Sequence, residues 1–340
     1  MKMMKFRYLT LIAAVVLGAS CAKDAKEGKN DSAKTYFEAW VSQNYPGALK
    51  TGLGAYILKD EPGTGSPAGT AAYLRIAFSS FTLDGNMASS TYEHMARRTG
   101  SYKKTSYYGP TIAYRGSALD QLPVGIEEAV ASMKEGGKRT VAVPGWLTGT
   151  TRYDSPEEYL EEESGTDYIY ELELVEAISD IEIWEKDSLA NYVSRHYPDA
   201  VEDSEIAGFW YIPSDTGTGK EIAADSTVYI NYTGRRLDGT VFDTTIADTA
   251  KVWGLWSSSK TYSPVQINWN SATEDYTAIT MGSDETTVVK GFAYALSKMH
   301  GMEKGTGLFW SDMGYAASGS GDAIPSYSPL IFELEMTSKP

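Results

Sequence analysis

The chain has 340 residues with 45 acidic and 30 basic side chains, a formal charge of −15. That balance speaks against nucleic acid as a partner, because phosphate binding needs a basic patch. The length admits two or three domains, each able to bury its own core, and the composition is that of a globular protein rich in tyrosine, with 24.

In chain order, Lys2, Lys5 and Arg7 form a positive leader and Leu9 to Leu17 an apolar run too short for a stable bilayer-spanning helix. Gly18-Ala19-Ser20 then precede the single cysteine, Cys21. This order resembles a bacterial lipoprotein signal, which implies cleavage after residue 20 and a lipid anchor on Cys21. The alternative is an ordinary secretory signal with an incidental cysteine. Acylation would leave no thiol for a disulfide, a nucleophile or a cysteine metal site. The expected location is the bacterial cell envelope, membrane-attached through the Cys21 lipid at the outer membrane, on either face. Residues 21–33 are polar and suit a flexible tether.

The rest of the chain is written twice. Val41-Ser42-Gln43-Asn44-Tyr45-Pro46 returns as Val193-Ser194-Arg195-His196-Tyr197-Pro198. Gly63-Thr64-Gly65 returns as Gly217-Thr218-Gly219, and Asp84-Gly85 as Asp238-Gly239, both at an offset of 154 residues. An interval that long means two copies of a domain and not a solenoid repeat. Each copy opens with a helical segment, 33–43 or 183–195, that ends before a Tyr-Pro pair. A strand follows at 55–58 or 209–212, closed by the Gly-Thr-Gly turn. The next strand alternates: Leu74, Ile76, Phe78 in one copy and Val228, Ile230, Tyr232 in the other. A short helix carries Ile126, Ala129, Val130, Met133 or Phe292, Ala295, Leu296, Met299 at i, i+3, i+4, i+7. A strand at 168–175 or 330–337 closes each copy. The expected architecture is therefore α+β: two tandem domains over 34–180 and 181–340, each an antiparallel sheet wrapped around a short amphipathic helix.

In the second copy, Val228 to Thr245 contains Tyr232-Thr233-Gly234, Asp238-Gly239 and Phe242-Asp243. Val288-Val289-Lys290-Gly291-Phe292, then Gly314-Tyr315, Ile324-Pro325 and Leu330 to Met336 follow in order. These blocks, in this order over residues 228–336, resemble the FKBP-type peptidyl-prolyl isomerases. The resemblance implies a proline pocket with Tyr232, Phe242, Asp243 and Tyr315 as catalytic residues. Val288, Val289, Phe292, Ile324 and Phe332 would bind substrate, Phe292 as the floor. It also implies that the Val289 N–H and the Tyr315 phenol bond the bound peptide. No cofactor or metal is implied. Phe292 stands where the family most often has tryptophan, and Ala316 and Ser326 replace the usual glycine and second proline.

At the repeat offset the first copy has Phe78 for Tyr232, Ala88 for Phe242 and Ser89 for Asp243, and by its place on the helical stripe Ile126 takes the floor. It is expected to be a degenerate, non-catalytic FKBP-like domain whose aromatic wall is lost. Its acidic run Glu157 to Glu163 suits a solvated face. An aromatic-rich insertion is expected at about 246–276, including Trp253, Trp256, Tyr262, Trp269 and Tyr276. These either grip clients or sugars, or pack the loop on the neighbouring domain. His94, His196 and His300 share no metal-ligand spacing.

The function implied is isomerisation of X-Pro bonds in exported polypeptides, with proline-containing polypeptide clients as partners. A non-catalytic client-binding or chaperone lipoprotein is the alternative, and glycan binding by the exposed aromatics a third reading.

Overall fold

The computed structural model describes residues 28–115, 122–223, 225–269 and 279–340. The leader, Cys21 and Tyr276 lie outside the described residues.

The first domain runs α1 (Asp31–Asn44), β1 (Leu49–Lys50), β2 (Tyr56–Glu61), β3 (Tyr73–Thr82), β4 (Met87–Ser90), α2 (Glu93–Thr99), β5 (Thr111–Tyr114), α3 (Val124–Ala131), β6 (Lys138–Val143), α4 (Pro156–Tyr159) and β7 (Tyr168–Ile178). The second runs α5 (Ile181–His196), β8 (Phe209–Asp215), β9 (Ser226–Arg236), β10 (Val241–Thr244), α6 (Ala247–Trp253), β11 (Val265–Trp269), β12 (Ile279–Met281), β13 (Thr286–Thr287), α7 (Lys290–Ser297), β14 (Lys304–Phe309) and β15 (Leu330–Thr337). The first sheet is ordered β2-β6-β7-β3, with β4 and β5 both on β3; the second is β8-β14-β15-β9, with β10 and β11 both on β9. The two orders are the same. All these pairs are antiparallel. The β12 and β13 strands extend the second sheet beyond β11 and have no counterpart among the described residues of the first.

The repeated Gly-Thr-Gly has a steric reason. A Cβ on Gly63 would stand 2.2 Å from the Glu135 carbonyl oxygen, and one on Gly217, at φ +54°, 2.4 Å from that of Gly301. In each copy the turn after the first long strand is pressed onto the turn after the buried helix. That contact needs a residue without Cβ. The glycine opening each buried helix follows the same logic: a Cβ on Gly125 would meet Val143 at 2.5 Å, and one on Gly291 the Phe309 ring at 2.3 Å.

Each sheet packs one face on its buried helix. In α7 every residue from Gly291 to Leu296 is buried, so the helix is enclosed and not merely striped. Met299 and Met133, expected on the stripes, lie just beyond the helices. Their N–H groups bond Leu296 and Val130 in a tight following turn, which keeps both side chains buried. The outer face of the second sheet is covered by α5, through Leu189 and Val193 against Trp210, Leu308 and Ile331. Asp180 caps α5 by accepting from the Ile183 N–H at 3.1 Å, the ordinary role of an aspartate there.

Two expectations are corrected. The tether does not reach residue 33: α1 begins at Asp31, and the buried Asn30 side chain donates to the carbonyls of Leu160 and Glu162, each at 2.7 Å. The stretch at 246–276 is not a free loop, because α6 and β11 lie in it and β11 pairs with β9 along its length. The first copy carries the same helix and strand as α2 and β5, so the added length falls later, around β12 and β13. The aromatics of this stretch divide in role. Trp269 is core at 3% exposure and Trp256 is 50% exposed. Trp253 receives Lys104 of the first domain at 4.6 Å from its ring centroid. The acidic run is solvated at Glu157, Glu158, Glu161 and Glu163, in keeping with the expected solvated face, and Tyr159 anchors it by packing edge-on to Tyr153 at 5.1 Å.

Candidate active site

The site lies where β9, β10 and β15 face the start of α7. Tyr232, Phe242, Asp243, Val288, Val289, Phe292, Tyr315, Ile324 and Phe332 line one cavity of about 480 Å³, so all nine residues singled out in the sequence come together. Met281, Thr286, Thr287, Ser320 and Ala323 also line it. The first three belong to the β12–β13 hairpin, which the sequence signature does not cover.

Register explains the assembly. Phe332 sits opposite Gly234 on neighbouring strands, and the missing side chain of Gly234 leaves room for the Phe242 ring, which a Cβ there would meet at 2.5 Å. Phe332 becomes the hub. Its ring centroid lies 5.0 Å from Phe292, 5.6 Å from Phe242, 6.1 Å from Tyr232 and 5.8 Å from Phe309. Edge-to-face contacts dominate, the arrangement aromatic quadrupoles favour. Phe292 is 2% exposed and packs edge-on to Tyr232 at 5.5 Å, forming the floor.

The polar groups are few. The Tyr232 hydroxyl donates to Asp243 Oδ2 at 2.6 Å. Asp243 Oδ1 accepts from Lys260 Nζ at 2.6 Å and from the Thr244 N–H at 2.9 Å. Burial, followed by the charge and hydrogen bond of Asp243, pushes the Tyr232 phenol far above its ordinary range. Burial and then the Asp243 charge raise Tyr315 as well. Both phenols therefore stay protonated across neutral pH. The Tyr315 hydroxyl and the Val289 N–H have no hydrogen-bond partner among the described residues. Both donors belong to the lining of an aromatic-walled cavity, free to meet a carbonyl.

The first domain has a cavity at the equivalent place, about 570 Å³, lined by Phe78, Ala88, Ser89, Ile126, Tyr168 and Tyr170 among others. Its aromatic wall is not wholly lost. Tyr170 faces Ser80 across the strands as Phe332 faces Gly234, and its ring lies 6.1 Å from Phe78 and 5.9 Å from Tyr168. Register reveals this equivalence where the fixed repeat offset does not. Among the described residues no cluster of histidine, cysteine and carboxylates could hold a metal ion. His300 is instead bonded to Glu303 at 3.0 Å.

The FKBP-type peptidyl-prolyl cis-trans isomerase family matches residues 219–337. An FK506-binding protein of Neisseria meningitidis serogroup C is 30% identical over 118 residues, which cover 35% of this chain and 84% of that protein. A macrophage infectivity potentiator of Trypanosoma cruzi is 31% identical over 123 residues, 36% of this chain; the chain spans 48% of that relative. Among solved structures, the three FKBP domains of wheat FKBP73 align over 84% of this chain and 94% of theirs, at 17% identity and a TM-score of 0.30, and the assignment does not rest on that likeness. The chain belongs to the FKBP-type peptidyl-prolyl cis-trans isomerase family. Its two like-ordered sheets make it a tandem of FKBP-like domains, the second carrying the family match.

Proposed function

We propose that the second domain isomerises X-Pro bonds of exported polypeptides by non-covalent catalysis in the Tyr232–Phe332 pocket, and that the chain is tethered to the bacterial envelope through Cys21. The observation that carries this reading is the pairing of an apolar, aromatic-walled cavity with two unpartnered donors, the Tyr315 hydroxyl and the Val289 N–H.

Rotation about an X-Pro bond must break amide resonance, against a barrier of roughly 18–20 kcal/mol. No nucleophile or proton transfer is required. The rings of Phe292, Phe332 and Phe242 would hold the proline and strip water from the amide, which disfavours the planar, solvated ground state. Tyr315 and Val289 would bond carbonyls of the peptide and hold the chain while the amide twists. Asp243, bonded to Tyr232, Lys260 and the Thr244 N–H, fixes the Tyr232 ring as a wall. Each ~1.4 kcal/mol gained only at the twisted geometry is about tenfold in rate.

The test is catalysed cis–trans exchange in a short X-Pro peptide by the full chain. Tyr315→Phe, which deletes one free donor and keeps the ring, is expected to lower kcat/KM by about tenfold, the loss of one hydrogen bond made at the twist. Asp243→Ala should lower it further by freeing Tyr232. A chain that binds the peptide without changing the exchange rate would overturn catalysis and leave the client-binding reading, which the uncharged cavity of the first domain favours.

A further inference from the structure

The pocket is bounded on one side by a strap from Tyr315 to Pro329 that supplies Tyr315, Ser320, Ala323 and Ile324. It contains no long helix or strand. Its internal support is the Ser320 to Ile324 bridge, with N–H···O distances of 2.7 and 3.1 Å, and a bond from the Tyr327 N–H to the Ala316 carbonyl at 2.9 Å. Ala316 at φ +44° and Tyr327 at φ +56° occupy left-handed backbone conformations, which cost energy for residues bearing a Cβ. A strap of this kind keeps one shape only where its surroundings hold it.

Those surroundings come from the first domain. The Tyr107 N–H donates to the Asp322 carbonyl at 2.7 Å, and Lys103 Nζ bonds the Asp322 carboxylate at 3.1 Å. Arg236, 4% exposed, gathers both sides: its guanidinium donates to the Ala323 carbonyl on the strap and to the Thr105 carbonyl of the first domain at 3.3 Å. Asp238 holds it at 3.0 Å, and the Tyr107 ring lies against it with a centroid distance of 5.2 Å. Further along, Tyr73 of the first domain packs edge-on to Tyr327 at 5.4 Å. The contacts at Asp322 and Ala323 immediately precede Ile324, a pocket wall.

We propose that loop 101–110 of the first domain positions the rim of the second-domain pocket, with Tyr107 and Arg236 as positioning residues for client binding. The first domain thus serves the neighbouring site through this loop, beside the contact its own cavity makes with Ser326 of the strap. This rests on reading the second-domain pocket as a client site. A released strap would populate its binding shape only part of the time, and apparent affinity falls by that fraction. The ordering of the strap would then be charged to binding and not to the chemical step.

The experiment uses the full chain with Lys103→Ala and Tyr107→Ala combined; Lys103 is exposed, and both lie outside the pocket. Three readouts are taken: amide exchange at Ser320, Ile324 and Tyr327, affinity for an X-Pro peptide, and KM with kcat for its isomerisation. Expected are about tenfold faster exchange at the three amides, with peptide affinity weakened and KM raised by about three- to tenfold and kcat within about twofold. Tyr107→Phe, which keeps the ring on Arg236 and loses only the hydroxyl's bond to the Pro110 carbonyl within the loop, should lie much closer to wild type than the double variant. Unchanged exchange overturns the proposal, and so does faster exchange with unaltered peptide affinity. A wild-type chain without isomerase activity would defeat the proposed catalysis alone, since exchange and affinity still decide whether the loop positions the rim.

Discussion

In the second domain the cavity beside the buried helix is lined by five aromatic rings and a bonded carboxylate, whereas the equivalent cavity of the first is larger, about 570 against 480 Å³. Ala88 and Ser89 stand there where the other has Phe242 and Asp243. Yet the sheet orders, the Gly-Thr-Gly contact and the glycine at the helix start are the same in both. The glycine contacts and sheet order that specify the fold thus persist while side chains at Phe242 and Asp243 change, although Phe292 and Phe332 belong to core and site alike.

The largest effect expected from this comparison is on stability. Phe332→Ala should cost about 3–5 kcal/mol, because the ring is buried among four others and no neighbour can collapse into the space. Tyr170→Ala should cost clearly less, its ring already bordering a roomier cavity. Chemical denaturation of the two variants checks this, and equal losses would break the contrast between a packed pocket and a slack one.

A smaller effect concerns the junction. Glu185 on α5 is 1% exposed, accepting from the Ser311 N–H at 2.8 Å and Oγ at 2.7 Å. Burial raises its carboxyl above the usual range, with the Ser311 bonds pulling the other way. A folded-state pKa above the unfolded one favours the fold in acid, and that contribution is lost as pH rises through the folded value. Glu185→Gln should therefore lie within about 1 kcal/mol of wild type at pH 7. Its melting temperature should fall behind wild type as pH is lowered towards 4. The reverse trend would mean that the carboxylate is better stabilised in the fold than in water.

The smallest expected effect is the absence of one. With the Tyr232 and Tyr315 phenols both raised, kcat/KM for the peptide should stay flat from pH 7 to 9. An inflection in that window would place a different titrating group at the wall.

Much of the second site was legible because its residues fall in motif blocks whose order is independent of loop length. The Tyr232 and Phe242 strands, the Val289-Phe292 helix start and the Phe332 strand each carry their own pattern. What escaped has a physical cause. Tyr170 as the partner of Phe332 depends on strand register, and the interval between the copies drifts once β12 and β13 intervene. The hairpin residues Met281, Thr286 and Thr287 lack alternating hydrophobicity, so nothing marks them as a wall. Asn30, Arg236 and Tyr107 act through backbone carbonyls and N–H groups of distant segments, contacts that no local pattern encodes.

The strap has one more consequence, for how such a pair of copies can diverge. Ile324 lines the second-domain cavity, and Ser326, two residues on, lines that of the first. The copies therefore own a wall in common. A change in the first cavity where it meets Ser326, or in the surface that backs the strap, would therefore reach its neighbour. The first copy is thus masonry for the second, whatever becomes of the side chains deeper in its own cavity.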